Sequence, residues 1–270
     1  MSDWMKTATV LGCVLMTSAS ALAADNLAQP HYKATAVMAA PWSWTGFYAG
    51  VHLGYGANDA QVSLVPGPTW GVAGGQWLIE NGTPALHTSG ALGGVQAGYN
   101  VQADNWVWGV EADFSFAGIT GGRSTGLLVP PVATNMADRS FTEHDSLKWV
   151  STFRGRLGYT ALPNLLLYAT GGLAVGRHEF SQFVLTDLAF SFNNVRNAVS
   201  ATKVGWTAGG GLEYALARNW SVKGEYLYID LGEVSSTADS DTAPGFGLTM
   251  TSSSRTTVHT ARVGLNYKFD

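Results

Sequence analysis

Eight stretches of this chain alternate apolar and polar residues with a period of two, and in each the apolar face carries no Asp, Glu, Lys or Arg. They span 46–56, 91–102, 106–118, 147–159, 165–176, 203–215, 220–229 and 257–269. The first sets Phe47, Ala49, Val51, Leu53 and Tyr55 against Tyr48 and His52. The fourth sets Leu147, Trp149, Phe153, Leu157 and Tyr159 against Lys148, Thr152, Arg154 and Arg156. All nine prolines fall outside these stretches, as hydrogen-bonded strands require. A period of two over that many segments leaves only an all-β chain.

The connections sort by length. Short links follow the second, fourth and sixth segments, at 103–105, around Pro163 and Asn164, and at 217–219. Long links rich in Gly, Ser, Thr, Asn and Pro follow the first, third, fifth and seventh, at about 59–88, 118–146, 177–202 and 231–256. Short turns at one rim and long loops at the other are the arrangement of barrels that cross an outer membrane. Aromatic residues mark both ends of the segments. Phe47, Tyr99, Trp106, Tyr159, Tyr214, Trp220, Tyr267 and Phe269 lie near the short-turn rim, and Tyr55, Phe116, Trp149, Trp206 and Tyr228 near the other. Two such girdles suit rings placed at two lipid–water interfaces. A lipid-facing Arg or Lys costs roughly 2–4 kcal/mol at the bilayer midplane, which accounts for a charge-free face. The expected fold is an eight-stranded antiparallel transmembrane up-and-down β-barrel over 44–270.

Ahead of the strands, 1–23 has a short polar head with Lys6, an apolar stretch and the small-x-small end Ala21-Leu22-Ala23, the pattern of a cleaved secretory signal peptide. The single cysteine, Cys13, lies inside it, so the exported chain is expected to lack thiol chemistry and disulfides. A segment at 24–43, with Pro30 and Pro41, is expected to be a mobile periplasmic linker. Charged residues make up 13% of the chain, low against the roughly 25% usual in soluble domains. A formal charge of −4 and the lack of a basic block exclude a nucleic-acid partner.

The chain closes Arg262-Val263-Gly264-Leu265-Asn266-Tyr267-Lys268-Phe269-Asp270. Gly264, Tyr267 and Phe269 resemble the terminal signal by which the outer-membrane assembly machinery selects its clients, although Asp270 follows the Phe that usually ends such a signal. Together with the 44–56 run Trp-Thr-Gly-Phe-Tyr-Ala-Gly-Val-His-Leu-Gly-Tyr-Gly, the sequence resembles the alphaproteobacterial outer membrane immunogenic protein family, small opacity-like barrels often labelled porins. The resemblance covers 44–269 and fades in the long links. It implies a non-enzymatic outer-membrane protein of a Gram-negative bacterium that is exported and handed on by periplasmic chaperones. It also implies loops exposed at the surface, lipid and lipopolysaccharide as surroundings, and no cofactor.

The polar faces point into the barrel. They carry Glu111, Asp113, Lys148, Arg154, Arg156, Lys203, Glu213, Lys223, Glu225 and Arg262. Within eight strands the interior is just wide enough for side chains to fill it. These ten residues are expected to form an ion network that plugs the lumen, with a narrow polar pathway for small solutes as the alternative. Enzyme candidates are few. His259, close in sequence to Ser252–254, is the one Ser–His possibility. His87, His144 and His178 lie in the long links and are candidates for haem or a host ligand. Gly209-Gly210-Gly211 has no following helix and so is not a phosphate loop.

Overall fold

The computed structural model describes residues 42–134, 136–186, 194–241 and 243–269. The expected signal peptide and nearly all of the expected linker lie outside these. Eight strands run in chain order: β1 (Gly46–Pro66), β2 (Ala85–Ala103), β3 (Trp106–Ser124), β4 (Arg139–Leu162), β5 (Leu165–Thr186), β6 (Val195–Ala217), β7 (Trp220–Ala238) and β8 (Met250–Lys268). Each pairs antiparallel with its sequence neighbours, and β8 returns to β1, closing the barrel. No edge is left in the lower part, which is what a lipid environment demands of a sheet.

Outward residues between the two aromatic rings are apolar and exposed: Val51, Leu53, Val95, Val110, Phe153, Leu173, Val204, Leu212 and Val263. The rings are built of contacts rather than isolated residues. Trp106 packs edge-on to Tyr159 at 5.4 Å and Trp220 to Tyr267 at 5.1 Å on the short-turn side. Trp206 lies 5.1 Å from Tyr228 on the other.

The strands run far past this belt. They are 19 to 24 residues long, about twice the 9–11 needed to cross a bilayer. Much of the sequence expected as long loops is therefore strand. The first such stretch also holds α1 (Val72–Gly82). The outward face of the extension is polar, with Asp59, Gln61, Thr142, His144, Glu179, Ser200 and Ser235, so alternation of hydrophobicity fades there although alternation of direction continues.

Two bulges re-aim side chains. The β4–β5 register shifts between Leu147 and Trp149, so Lys148 is the extra residue. Leu147 turns inward, 2% exposed. On β7, the register with β8 shifts between Asp230 and Gly232. Gly232 adopts φ +73°, which glycine takes without a Cβ penalty, and its N–H donates to Asp230 Oδ1 at 2.8 Å. A bulge bends its strand, and here the β6–β7 ladder ends at Trp206↔Asp230. Above that point 195–205 of β6 pairs with β5 and 232–238 of β7 with β8, and among the described residues they do not pair with each other. The wall rejoins at the tip, where Asp241 N donates to Asn194 O at 2.8 Å and Arg196 meets Asp241 at 3.0 Å. The result is a lateral seam in the extension.

Candidate functional site: the layered interior

Inside the barrel, side chains stack in layers. At the short-turn mouth Trp44, 3% exposed, packs with Val107, Leu166, Tyr168 and Ala215. Trp44 N donates to Gln102 Oε1 at 2.9 Å, and Trp42 stands edge-on to Trp44 at 5.5 Å with the Lys268 ammonium over its ring. Trp42, placed with the linker by sequence, is thus packed across this mouth.

Next comes the ionic layer. Glu111 and Asp113 from β3, Arg154 and Arg156 from β4, Glu213 from β6, Lys223 and Glu225 from β7 and Arg262 from β8 are all at most 6% exposed. Arg154 holds the centre. It reaches Asp113 at 3.0 Å and Glu225 at 3.0 Å, and also donates to Glu111. Lys223 Nζ donates to both oxygens of Glu111 at 2.8 and 2.9 Å. Arg156 pairs with Glu213 at 2.8 Å and lies 3.9 Å over the Tyr168 ring. Arg262 meets Asp113 at 3.3 Å. Neutral groups complete the shell: Tyr48 donates to Glu111 at 2.7 Å, Tyr168 to Glu225 at 3.0 Å, and Ser221 and Asn266 to Glu213. Four cations face four carboxylates, so the layer is neutral as a whole. That balance is what lets buried charge persist.

Two residues expected in this network stand elsewhere. Lys148 is turned out by its bulge, about half exposed, with its ammonium 3.5 Å from Glu179. Lys203 points inward by alternation but lies opposite Gly176, beside the seam. It forms no ion pair among the described residues.

Above the ions lies a dry layer that sequence reading missed. Leu92, Ile119, Leu147, Val150, Ala174, Leu227, Ile229 and Val258 are each 3% exposed or less and in mutual contact. They pack against one another across the lumen, so an aqueous path would have to part them. Higher still, Asp145 and His178 meet at 2.7 Å, Ser254 donates to the same Asp145 oxygen at 2.7 Å, and Thr256 contacts His178 Nδ1 at 2.8 Å. All four are buried. Near the distal end Gln182 bonds Glu143 at 3.2 Å and the α1 carbonyl of Gly82 at 2.8 Å. Burial pushes the Glu143 carboxyl up from its ordinary value. Leu78 and Trp77 of α1, with Trp70, Phe141, Val184, Val195 and Met250, close the distal mouth.

The histidines do not converge. His87 pairs with Asp59 on the outer surface at 2.6 Å, His144 is exposed, and His178 is interior. Among the described residues no group of three or more His, Cys, Asp and Glu side chains is placed to hold a metal. His259 faces outward and bonds Tyr226 at 2.6 Å, while Ser252 and Ser254 are buried inside the wall. Strand alternation puts these two on the face opposite His259, and Ser253, on the same face, lies six residues along the strand, roughly 20 Å away and out of hydrogen-bond reach. At the carboxyl end Tyr267 and Phe269 are exposed and packed edge-on at 5.2 Å, and Gly264 faces inward where a Cβ would meet the Lys223 stem at 3.1 Å.

Comparison with known proteins agrees with this architecture. The family described as "Outer membrane protein beta-barrel domain" matches residues 9–269. The chain is 37% identical over 266 residues to the 31 kDa outer-membrane immunogenic protein of Brucella melitensis biotype 1, covering 98% of this chain and 100% of that one. It is 30% identical over 261 residues to the 25 kDa outer-membrane immunogenic protein of Brucella abortus biovar 1, covering 96% of each. Among solved structures, OprG of Pseudomonas aeruginosa is similar at 14% identity and TM-score 0.48, over 83% of this chain and 97% of that one.

Proposed function

Since the chain belongs to the outer membrane protein β-barrel family, we propose that it is a closed, non-conducting, non-enzymatic barrel that supports the outer membrane and presents its long-strand end at the cell surface. The observation that carries this reading is the dry layer around Ile119, Leu147, Ile229 and Val258. An ionic layer alone could be wetted and lead a narrow pathway. Here it is stacked beneath a packed apolar layer, with Trp44 and α1 at the two mouths. The surface role draws on the polar outer face of the extension and on the names of the Brucella relatives.

In this reading 1–23 is removed on export, and Gly264, Tyr267 and Phe269 serve recognition by the assembly machinery. The four long connections face outward, because short turns belong to the periplasmic side of such barrels.

Planar-bilayer conductance of the refolded protein is the test. The native protein is expected to be silent, and a variant thinned in the dry layer, Leu147→Ala/Ile229→Ala, to give brief openings. Stable conductance steps in the native protein, altered by Arg154→Ala/Arg156→Ala, would overturn the closed barrel in favour of a narrow porin.

A further inference from the structure

Just above the apolar belt, three cations stand at one height on adjacent strands. Arg177 of β5 is in register with Trp149 of β4 and Thr202 of β6, Lys148 is the bulge residue beside Trp149, and Lys203 is opposite Gly176, the neighbour of Arg177. One carboxylate answers them. Glu179 lies 3.5 Å from the Lys148 ammonium and 3.3 Å from Arg177 Nε, which also donates to Ser200 at 3.1 Å. Lys203 has no ion-pair partner among the described residues. Elsewhere at this level Arg255 is matched by Asp230 at 2.8 Å. The surplus positive charge therefore collects on one side of the barrel.

The local backbone explains the cluster. Without its bulge Lys148 would point into the lumen. Lys203 is half-buried on the inward face where the β6–β7 ladder is broken, and a four-carbon stem is long enough to carry its ammonium through the break to the outer surface. Directly below stand Val204, Trp149 and Trp206, the lipid-facing end of the belt, which fixes the cations at headgroup height. A surface depression of about 380 Å³ lined by His144, Glu179 and Ser200 adjoins them on the distal side.

We propose that Lys148, Arg177 and Lys203 form a docking site for the phosphate-bearing headgroup of an outer-leaflet glycolipid, with Glu179 holding the two outward cations in place and the depression receiving the adjoining sugar. The site rests on the reading that the long-strand end faces the cell exterior. A cation near an anionic lipid surface contributes about fivefold in affinity, and three together about a hundredfold.

The test is native mass spectrometry of the full refolded protein in a zwitterionic detergent. The probes are bisphosphorylated lipid A, the same lipid dephosphorylated, and inorganic phosphate as competitor. The native protein is expected to retain the phosphorylated lipid. Lys148→Gln/Arg177→Gln/Lys203→Gln should lose it by about a hundredfold, while Arg123→Gln/Arg218→Gln, which changes exposed cations elsewhere, should not. Equal retention by the triple variant, equal retention of the dephosphorylated lipid, or displacement by equimolar phosphate would each overturn the site. A heat-dependent gel shift confirms that the variants are folded. Orientation is read separately by labelling Ser235→Cys, on the exposed outward face, in intact cells with a membrane-impermeant thiol reagent, so a wrong orientation and a wrong site give different results.

Discussion

Replacing Arg154 by Met removes the cation that touches three carboxylates at once. Its guanidinium is fully buried and contacts Glu111, Asp113 and Glu225. After its loss Glu111 keeps both Lys223 contacts, and Asp113 keeps Arg262 at 3.3 Å. Glu225 fares worst, left with the Tyr168 hydroxyl and with Lys223 at 3.7 Å. Three cations then face four carboxylates, one buried negative charge in excess. Breaking a buried pair from one side costs about 3–5 kcal/mol, a large share of a total stability on the order of 5–15 kcal/mol. Adding Glu225→Gln restores neutrality, so Arg154→Met/Glu225→Gln should recover at least about 2 kcal/mol relative to additivity. The assay is urea unfolding in lipid vesicles, followed by tryptophan fluorescence and by heat-dependent gel mobility. An unchanged slope against urea shows that the midpoint alone has moved. If Arg154→Met costs less than about 1 kcal/mol, or the double variant is no better than the sum of the singles, the layer is not a tightly coupled ion network and the reasoning fails.

Three more outcomes follow from single side chains. Burial raises the Glu143 carboxyl above its ordinary value, so its ionisation opposes folding. The penalty is absent below the unfolded value of about 4.3 and complete above the raised folded one. Glu143→Gln should therefore stabilise the barrel at neutral pH by about 1–3 kcal/mol, and the gain should vanish when unfolding is repeated below about pH 4. At φ +73°, Gly232→Ala should cost about 1–2 kcal/mol and speed amide exchange in 232–238, with the belt amides unaffected. Trp44→Ala opens the short-turn mouth and should lower stability by about 3 kcal/mol, without producing conductance because the dry layer is untouched.

The barrel was legible because one physical rule, charge kept off the lipid face, repeats along every strand. The ionic layer was legible for the same reason. Glu111 and Asp113 sit at inward positions on a strand paired with the one carrying Arg154 and Arg156, and alternation alone brings them together. Lys148 was misassigned because a single bulge reverses direction, and nothing in the composition around Leu147-Lys148-Trp149 announces it. Lys203 follows the alternation correctly, but the network lies further down the strand, at the level of Glu213. The dry layer escaped notice because both faces are apolar at that height, as in Tyr226-Leu227-Tyr228-Ile229, where no contrast marks inside from outside. The extension escaped for the opposite reason. Outward positions such as Gln61, Ser200 and Ser235 are polar, as are inward ones such as Asn197 and Ser252, so strand reads as loop. The buried pair of Asp145 and His178 needed the three-dimensional pairing of β4 with β5, since 33 residues separate them.

A cylinder of hydrogen-bonded strands has its radius fixed once strand number and stagger are set, because the ladder must meet itself without remainder. That condition binds the belt, where every strand is paired on both sides. It lapses above Trp206 and Asp230, where the circuit is broken. The upper tube is not bound by that closure condition between Trp206 and the tip, while the girth within the bilayer stays set. A protein built this way can alter the pairing and length of its surface end without altering the dimensions of its membrane segment.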